Sequence, residues 1–230
     1  CEAGLVARRL HLVVDTGVDD ALAIVGAWLH PDLELAEVTA AGGNVTLAQA
    51  VVNTRYVLHS IGATSVEVSV GAAHRCDGRP FRRRSVHGPD GLGGLVGPIS
   101  SQAPVPWPPP ASVDASSAML VCLAPMTTLL DVDPGTVVAT YARPGQANHA
   151  MDTAAADGVR ARWLVRDADT SADLSSWVFD AGQGSAVTRL VDHLVHHQRK
   201  RGAGLGDAAA VLRLAGGTDP VRQLAELVRP

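Results

Sequence analysis

The feature that most constrains the fold is an alternation of short apolar runs with longer amphipathic runs between residues 10 and 71. Three of these runs are short and typical of buried strands: residues 10–15, 33–41 and 66–71. Two runs between them have the length and apolar spacing of helices: residues 19–30 and 46–61. Pro31 ends the first helix, and Thr46 is a suitable N-cap for the second. Strands that alternate with helices of this length predict βαβ units and therefore a parallel sheet.

The strand pattern resumes in the second half of the chain. Further strands are expected at residues 118–124, 136–141 and 162–166, and further helices from about Asp152, over about 184–200 and from Asp207. No internal repeat or domain boundary is visible, and 230 residues are enough to bury one large core. The sequence therefore predicts an α/β fold, a single domain over residues 1–230 with a mostly parallel, Rossmann-like central sheet and helices on both faces.

Residues 73–116 interrupt the pattern. This segment is rich in Gly, Pro and Arg and has no periodicity, and it includes "VHGPDGLGG" at 86–94 and "PVPWPPP" at 104–110. A loop of this length in a compact domain is usually functional or disordered. We therefore expect it to lie beside a functional site.

Charge and cysteine content exclude several classes of protein. The net charge of −4 gives no electrostatic reason to expect nucleic-acid binding. Three scattered cysteines, Cys1, Cys76 and Cys122, do not form a disulfide framework or a zinc motif. No apolar run reaches the roughly 20 residues that a membrane span needs. We expect a cytoplasmic protein with no nucleic-acid or membrane partner.

The segment "LVVDTGVDDALAI" at 12–24 places three acids, Asp15, Asp19 and Asp20, within six positions. Asp19 and Asp20 lie in the first turn of a predicted helix, where the helix dipole favours negative charge. Asp15 ends the preceding strand, so capping does not explain it. A hard cation such as Ca²⁺ or Mg²⁺ would relieve the repulsion, and a catalytic site that perturbs these acids is the alternative.

This region resembles the inosine-uridine preferring nucleoside hydrolases. Their signature Asp-x-Asp-Pro-Gly-x-Asp-Asp, followed by an Ala-rich helix and a Gly-Asn pair, matches "VVDTGVDD" and "AAGGNV". "VHGPDGLGG" is similar to their His-Gly-x-x-Gly-x-Gly loop. The resemblance is strong over residues 10–72 and patchy after residue 100, and it implies a nucleoside-hydrolase-like fold.

The resemblance implies Ca²⁺-dependent hydrolysis of the N-glycosidic bond of a ribonucleoside, a small-molecule substrate, with one Ca²⁺ per subunit. It assigns Asp15 as the catalytic residue that activates a metal-bound water. The implied metal ligands are Asp15, Asp20, the backbone carbonyl of Leu123, and Asp207. Family members are commonly homodimers or homotetramers, and the apolar composition permits either assembly without demanding it.

The same resemblance assigns substrate contacts. The implied substrate-binding residues are Asp19, Asn44, Asn148, Gln146 and His87. An acid that protonates the leaving base could be His87 or His149. The histidines of 191–202 (His193, His196 and His197) are instead interpreted as the solvated face of an amphipathic helix.

Four positions depart from the family pattern. Val13 replaces the first signature Asp, Thr16 replaces the Pro and is expected to loosen the turn, Gly206 replaces a late His, and Gln146 replaces a Glu. These changes leave two alternatives to a hydrolase open. One is a catalytically impaired nucleoside- or ribose-binding homologue, and the other is a specialised glycosidic-bond enzyme of a biosynthetic pathway.

Overall fold

Six parallel strands form one continuous sheet in the computed structural model, which describes residues 7–81, 85–99, 118–177 and 184–229. The strands are β1 (Arg8–Val14), β2 (Leu33–Ala40), β3 (Glu67–Val70), β4 (Met119–Cys122), β5 (Thr136–Ala139) and β6 (Leu164–Asp167). Their order across the sheet is β3-β2-β1-β4-β5-β6, and every neighbouring pair is parallel. The predicted α/β fold with a parallel central sheet is confirmed.

Seven α-helices accompany the sheet in the described part of the chain. They are α1 (Val18–Leu29), α2 (Leu47–Ser60), α3 (Ala147–Met151), α4 (Thr153–Arg162), α5 (Ala186–Lys200), α6 (Asp207–Leu214) and α7 (Pro220–Leu227). The sequence predicted α1, α2, α4, α5 and α6 close to these bounds. It missed α3, which is only five residues long, and α7, although Asp219 and Pro220 form a recognisable helix start.

Apolar packing holds helices against the two faces of the sheet. The larger core cluster joins β1 and β2 to α1, α5, α6 and α7, and includes the fully buried Leu12, Leu22 and Leu194. A second cluster packs Val13 and Leu120 with Trp163, which follows α4. The predicted arrangement of helices on both faces is therefore confirmed.

Chain direction places the functional edge of the sheet. The chain runs outward from β1 to β3 and then returns to β4, so β1 and β4 are neighbours whose connections leave in opposite directions. In open α/β sheets, ligands bind at the carboxyl ends of the strands at such a switch point. Asp15 follows β1 at this point, and Leu123 follows β4.

Part of the predicted loop at 73–116 is described, and it includes "VHGPDGLGG". The "PVPWPPP" segment at 104–110 lies outside the described residues. Within the described part of the chain, no helix combines the length and apolar character that crossing a bilayer would require.

Candidate active site

A cleft of about 990 Å³ opens at the carboxyl edge of the sheet. Seven of the residues predicted to form the site line it: Asp19, Asn44, His87, Leu123, Gln146, Asn148 and Asp207. Asp15 and Asp20 are fully buried and lie against these lining residues. Residues from both halves of the chain thus meet at the place that the topology indicates.

Three carboxylates form the floor of this cleft. Asp19, Asp20 and Asp207 each offer an oxygen, and these oxygens lie within 4.8 Å of one another. The Oδ1 atom of each of the three is buried and has no hydrogen-bond partner. Buried polar atoms are normally paired, so a close group of carboxylates that retain unpartnered oxygens fits a cation that prefers oxygen ligands.

Asp15 lies beside this group and is held by Asn44. The Asn44 backbone N–H donates to Asp15 Oδ2 at 2.6 Å, and Asn44 Nδ2 donates to Oδ1 at 3.0 Å. A Cβ at Gly43 would lie 2.0 Å from Asp15 Oδ2, so only glycine permits this approach. A carboxylate has about four lone-pair sites, so both oxygens of Asp15 keep capacity to bind a cation.

The carboxyl groups of the floor have raised pKa values. Burial, followed by the charge of Asp19, raises the pKa of Asp15 to about 7, although the Asn44 N–H opposes this shift. Burial and neighbouring carboxylates raise the pKa values of Asp20 and Asp207 well above their ordinary value. A divalent cation would supply the positive charge that these acids lack, and the donor set fits Ca²⁺ better than a soft metal.

Thr16 does not loosen the turn, which corrects the expectation from sequence. Its φ is +23°, a left-handed conformation that proline, fixed near −65°, cannot adopt. The Thr16 hydroxyl bonds to that of Thr54 at 2.7 Å, and its carbonyl accepts from Asn53 Nδ2 at 3.1 Å. The turn that carries the acids is therefore held in place by α2.

Val13 has an apolar environment. It is fully buried and packs with Ala41, Leu120 and Cys122 in the second core cluster. Where the family signature has its first Asp, this chain thus contributes to the core.

His87 reaches the cleft over Gly17. The Val18 backbone N–H donates to His87 Nδ1 at 3.2 Å, and the same nitrogen lies 3.6 Å from Asp19 Oδ1. A Cβ at Gly17 would lie 2.9 Å from both the His87 ring and Asn44 Nδ2. The glycine of the acidic turn is therefore what allows the histidine and the asparagine to approach the floor.

A buried acid organises the loop that presents His87. Asp90 Oδ1 accepts from the N–H groups of Leu92 and Gly94, and Oδ2 accepts from those of Val96 and Gly97, all at 2.9 Å. Asn53 Nδ2 donates to the Asp90 carbonyl at 2.7 Å. The loop is thus tied to the same asparagine that holds Thr16.

Helix α5 supports this loop from outside. His197 Nε2 donates to the Val86 carbonyl at 3.1 Å. A Cβ at Gly93 would lie 2.9 Å from His197 Nδ1 and 3.1 Å from His193 Nε2. The expectation of a solvated histidine face is therefore wrong for His193 and His197, which are half-buried, and holds only for the exposed His196.

Two predicted ligand contacts are occupied within the protein. Asn148 Nδ2 donates to the Leu123 carbonyl at 2.7 Å and to the Thr140 carbonyl at 2.9 Å. The Leu123 oxygen has a second lone pair, so the contact does not prevent it from binding a cation. Gln146 Oε1 accepts from the Arg143 backbone N–H at 3.0 Å.

His149 and Gly206 fit the site less well. His149 is outside the cleft lining, and its Nε2 lies 3.1 Å from Asp157 Oδ1. Gly206 has φ +57°, and a Cβ there would lie 2.5 Å from Asp19 Oδ2. This backbone therefore leaves no room for a histidine at position 206.

Sequence reasoning assigned no role to the residues of a further part of the cleft lining, although it expected the 142–149 loop to lie at this edge of the sheet. This wall of the cleft consists of Tyr141, Arg143, the loop 168–173 and the segment 201–204. The loop 168–173 follows β6, so the strand-end rule that located Asp15 could have found it. Segment 201–204 follows α5, and nothing in its sequence indicates that the helix ends at the cleft.

Comparison with known proteins is consistent with this geometry. A protein of Corynebacterium ammoniagenes, "Uncharacterized protein in ribF 3'region", is 40% identical over 87 residues, which are 37% of this chain and 92% of that protein. The pyrimidine-specific ribonucleoside hydrolase RihA of Photobacterium profundum is 29% identical over 134 residues, 58% of this chain. That match spans only 42% of the hydrolase.

Among solved structures, the purine-preferring ribonucleoside hydrolase of Gardnerella vaginalis shares the fold. Its TM-score is 0.66 at 22% identity, over 89% of this chain and 78% of that one. The sequence model of the inosine-uridine preferring nucleoside hydrolases matches residues 10–144, more than half of the chain. The chain therefore belongs to the inosine-uridine preferring nucleoside hydrolase family.

Proposed function

We propose that the protein hydrolyses the N-glycosidic bond of a ribonucleoside or related N-riboside, with one Ca²⁺ held on the acidic floor of the cleft. The observation that carries this proposal is a cluster of three buried carboxylates: one oxygen from each of Asp19, Asp20 and Asp207 lies within 4.8 Å of the others, and each residue has a buried Oδ1 atom without a hydrogen-bond partner. Burying three such oxygens lowers the stability of the metal-free protein, whereas a cation together with substrate would supply the partners that they lack.

The ligands proposed for the ion are Asp15, Asp20, Asp207 and the Leu123 carbonyl. When bound, Ca²⁺ supplies a polarised water and a fixed position for ribose hydroxyl groups. In this proposal Asp15 accepts the proton of the attacking water, because it is the carboxylate next to the proposed ion that Asn44 holds in a fixed orientation. Asn44 holds the Asp15 carboxylate in orientation through its two hydrogen bonds.

The remaining groups bind and polarise the substrate. Asp19 lines the cleft and accepts a hydrogen bond from a ribose hydroxyl, and Asn148 offers its Oδ1 because both amide hydrogens are used on carbonyls. The anionic floor stabilises positive charge that develops on the ribose ring. Of the two candidate acids, His87 lines the cleft and is the group that can reach a leaving base.

The proposal is tested by measuring ribose release from a panel of nucleosides, with stoichiometric Ca²⁺ and after chelation. We expect hydrolysis that chelation abolishes and that Asp15→Asn reduces by orders of magnitude. Asp131→Asn, at an exposed aspartate outside the cleft, is the matched control and should leave the rate unchanged. Absence of hydrolysis across the panel would contradict the proposal.

A second candidate is a riboside-binding homologue without turnover. It is favoured by Val13, which replaces a carboxylate with core packing, and by Gly206, where the backbone excludes a histidine. Calorimetry separates the two candidates: riboside binding to the Ca²⁺-loaded protein without ribose release supports the second.

A further inference from the structure

We propose that the preferred substrate carries a phosphate group on its ribose, so that nucleoside monophosphates are better ligands than free nucleosides. This inference rests on the proposed function and specifies its substrate class. It comes from another part of the cleft lining, where Arg143 and Arg201 stand beside Asp169 and Asp173, whose oxygens are already held by neighbouring groups. Arg143, Gln146 and Arg201 are the residues that carry it, and all three line the cleft.

The Arg143 side of the wall has more positive than negative charge. Arg143 is 61% exposed, and its Nε lies 3.3 Å from Asp167 Oδ2. Arg160 also pairs with Asp167 and donates to the Ala142 carbonyl at 3.1 Å. Two guanidinium groups thus share one carboxylate, which leaves a net charge of about +1 beside the cleft.

Gln146 presents a donor to the same region. Its Oε1 accepts the Arg143 backbone N–H at 3.0 Å, so the acceptor of this amide is already used. Its Nε2 group has no hydrogen-bond partner among the described residues. A substrate group that only accepts hydrogen bonds, such as phosphate, matches this donor better than a hydroxyl does.

Arg201 is the second cation. It follows α5, is exposed, and its guanidinium has no ion pair within the described residues. The nearby acids of the wall are occupied: Asp169 binds Ser171 and lies 3.5 Å from Arg213, and Asp173 binds Ser175. These acids therefore do not neutralise Arg201 by direct contact.

The size of the cleft is consistent with a larger ligand. Its volume of about 990 Å³ is at the upper end of the roughly 300–1,000 Å³ typical of ligand pockets. A ribose seated on the acidic floor leaves the donor-rich wall free for another substituent. An arginine can bind phosphate through two parallel hydrogen bonds, which gives geometry as well as charge.

The test compares three ligands on the Ca²⁺-loaded protein: a nucleoside, its 5′-monophosphate, and the nucleoside with added inorganic phosphate. We expect the monophosphate to bind about 10- to 100-fold more tightly than the nucleoside by calorimetry, with a preference that weakens as salt rises. If phosphate and nucleoside together reproduce the effect, the wall binds free phosphate and the substrate assignment is overturned. Equal affinity for nucleoside and monophosphate also overturns it.

Variants locate the effect. Arg143→Gln and Arg201→Gln should each lower the ratio of monophosphate to nucleoside affinity by about tenfold. Gln146→Glu keeps an acceptor for the Arg143 N–H but adds a negative charge, so the ratio should fall below that of either arginine variant. Arg222→Gln is the matched control, because Arg222 pairs with Glu226 on α7 and lies outside the cleft lining.

Failure of this inference is distinguishable from failure of the proposed function. Ribose release from nucleosides without a preference for phosphate would overturn only the substrate class. Tight phosphate-dependent binding without ribose release would support the phosphate site and contradict the hydrolase. An unchanged ratio in all three cleft variants would remove these residues from the site even if the preference exists.

Discussion

Two regions of the molecule bury aspartates in opposite ways. On the floor of the cleft, Asp20 and Asp207 are buried with unpartnered Oδ1 atoms, and their pKa values are raised well above the ordinary value. In the loop beside it, Asp90 is equally buried, yet each of its oxygens accepts two backbone N–H groups. Burial alone would raise the pKa of Asp90, but these donors outweigh it and hold the pKa below its ordinary value.

The contrast separates a structural acid from a functional one. A buried carboxylate that stabilises a fold is satisfied by the protein, because an unpartnered charge costs several kcal/mol. The floor acids are only partly satisfied: Asp20 Oδ2 accepts from the Gly17 N–H at 2.8 Å, whereas the Oδ1 atoms of Asp20 and Asp207 have no partner, which destabilises the protein until a ligand supplies one. The floor acids are thus incompletely hydrogen-bonded, whereas Asp90 in the neighbouring loop is fully hydrogen-bonded.

The largest effect is expected from Asp20→Asn, which removes one of the incompletely hydrogen-bonded carboxylates of the floor. We expect Ca²⁺ affinity and any activity to fall by orders of magnitude, since a fully buried ligand oxygen is lost. The metal-free variant should melt higher than the metal-free wild type, because one of several repelling charges is gone, by about 2–4 °C for each kcal/mol gained. Calorimetry for Ca²⁺ and thermal unfolding in chelator measure the two effects.

The matched control for that experiment is Asp133→Asn, at an exposed aspartate outside the cleft. It should change neither Ca²⁺ affinity nor melting temperature. A drop in the melting temperature of metal-free Asp20→Asn would mean that Asp20 is a structural acid after all.

Asp90→Asn tests the role of the fully hydrogen-bonded acid in the loop. The new NH₂ group would face two backbone N–H donors, so we expect the free energy of unfolding to fall by about 2–4 kcal/mol, the cost of lost hydrogen bonds to a charged group. Urea unfolding measures it. If stability is unchanged, the four N–H contacts do not order the loop, and the comparison with the floor fails.

The pH dependence of stability sharpens the same point. The folded-state pKa of Asp90 is depressed below 3.8, so its contribution is fully present above the unfolded pKa and is lost as pH falls through the folded pKa. The stability difference between wild type and Asp90→Asn should therefore be constant above about pH 5 and shrink toward acid. Urea titrations from pH 6 to the lowest pH at which both proteins fold measure this difference, and a difference that grows toward acid would contradict it.

The smallest expected effect concerns the support of the loop by α5. His197→Ala removes the bond to the Val86 carbonyl, and we expect a loss of about three- to tenfold in kcat/KM because His87 is less well positioned. His197→Gln retains a donor and should recover part of the loss. His196→Ala, at the exposed neighbour, is the control, and equal losses in both alanine variants would show that the effect is not specific to the loop.

Much of the fold could be predicted from local pattern. The strand-to-helix alternation of residues 10–71 predicts the parallel sheet, since each apolar run must be covered on both faces. The strand-end rule then brings Asp15, Asn44 and Leu123 to one edge, where the structure has them. The missed helix α7 has a sequence signal in Asp219 and Pro220, whereas α3 is too short to show periodicity.

Other features could not be predicted, because they depend on residues far apart in the chain. Thr16 is expected to free the turn, yet Asn53 and Thr54 on α2 hold it in a left-handed conformation. His193 and His197 have the spacing of a solvated face, yet α5 packs them against Gly93. In each case the neighbours of the side chain come from elements distant in sequence, so the local pattern does not predict them.

The sequence by itself determined the parallel α/β architecture and the crowding of Asp15, Asp19 and Asp20, because periodicity and neighbouring charges are local properties of a chain. Only the tertiary structure brought Asp207 to Asp19 and Asp20 and left the Oδ1 atoms of these three residues unpartnered. It also placed Arg143 and Arg201 in the lining of the same cleft. The physical reason is that solvation and hydrogen-bond partners decide what a charged group does, and both are set by elements distant in sequence.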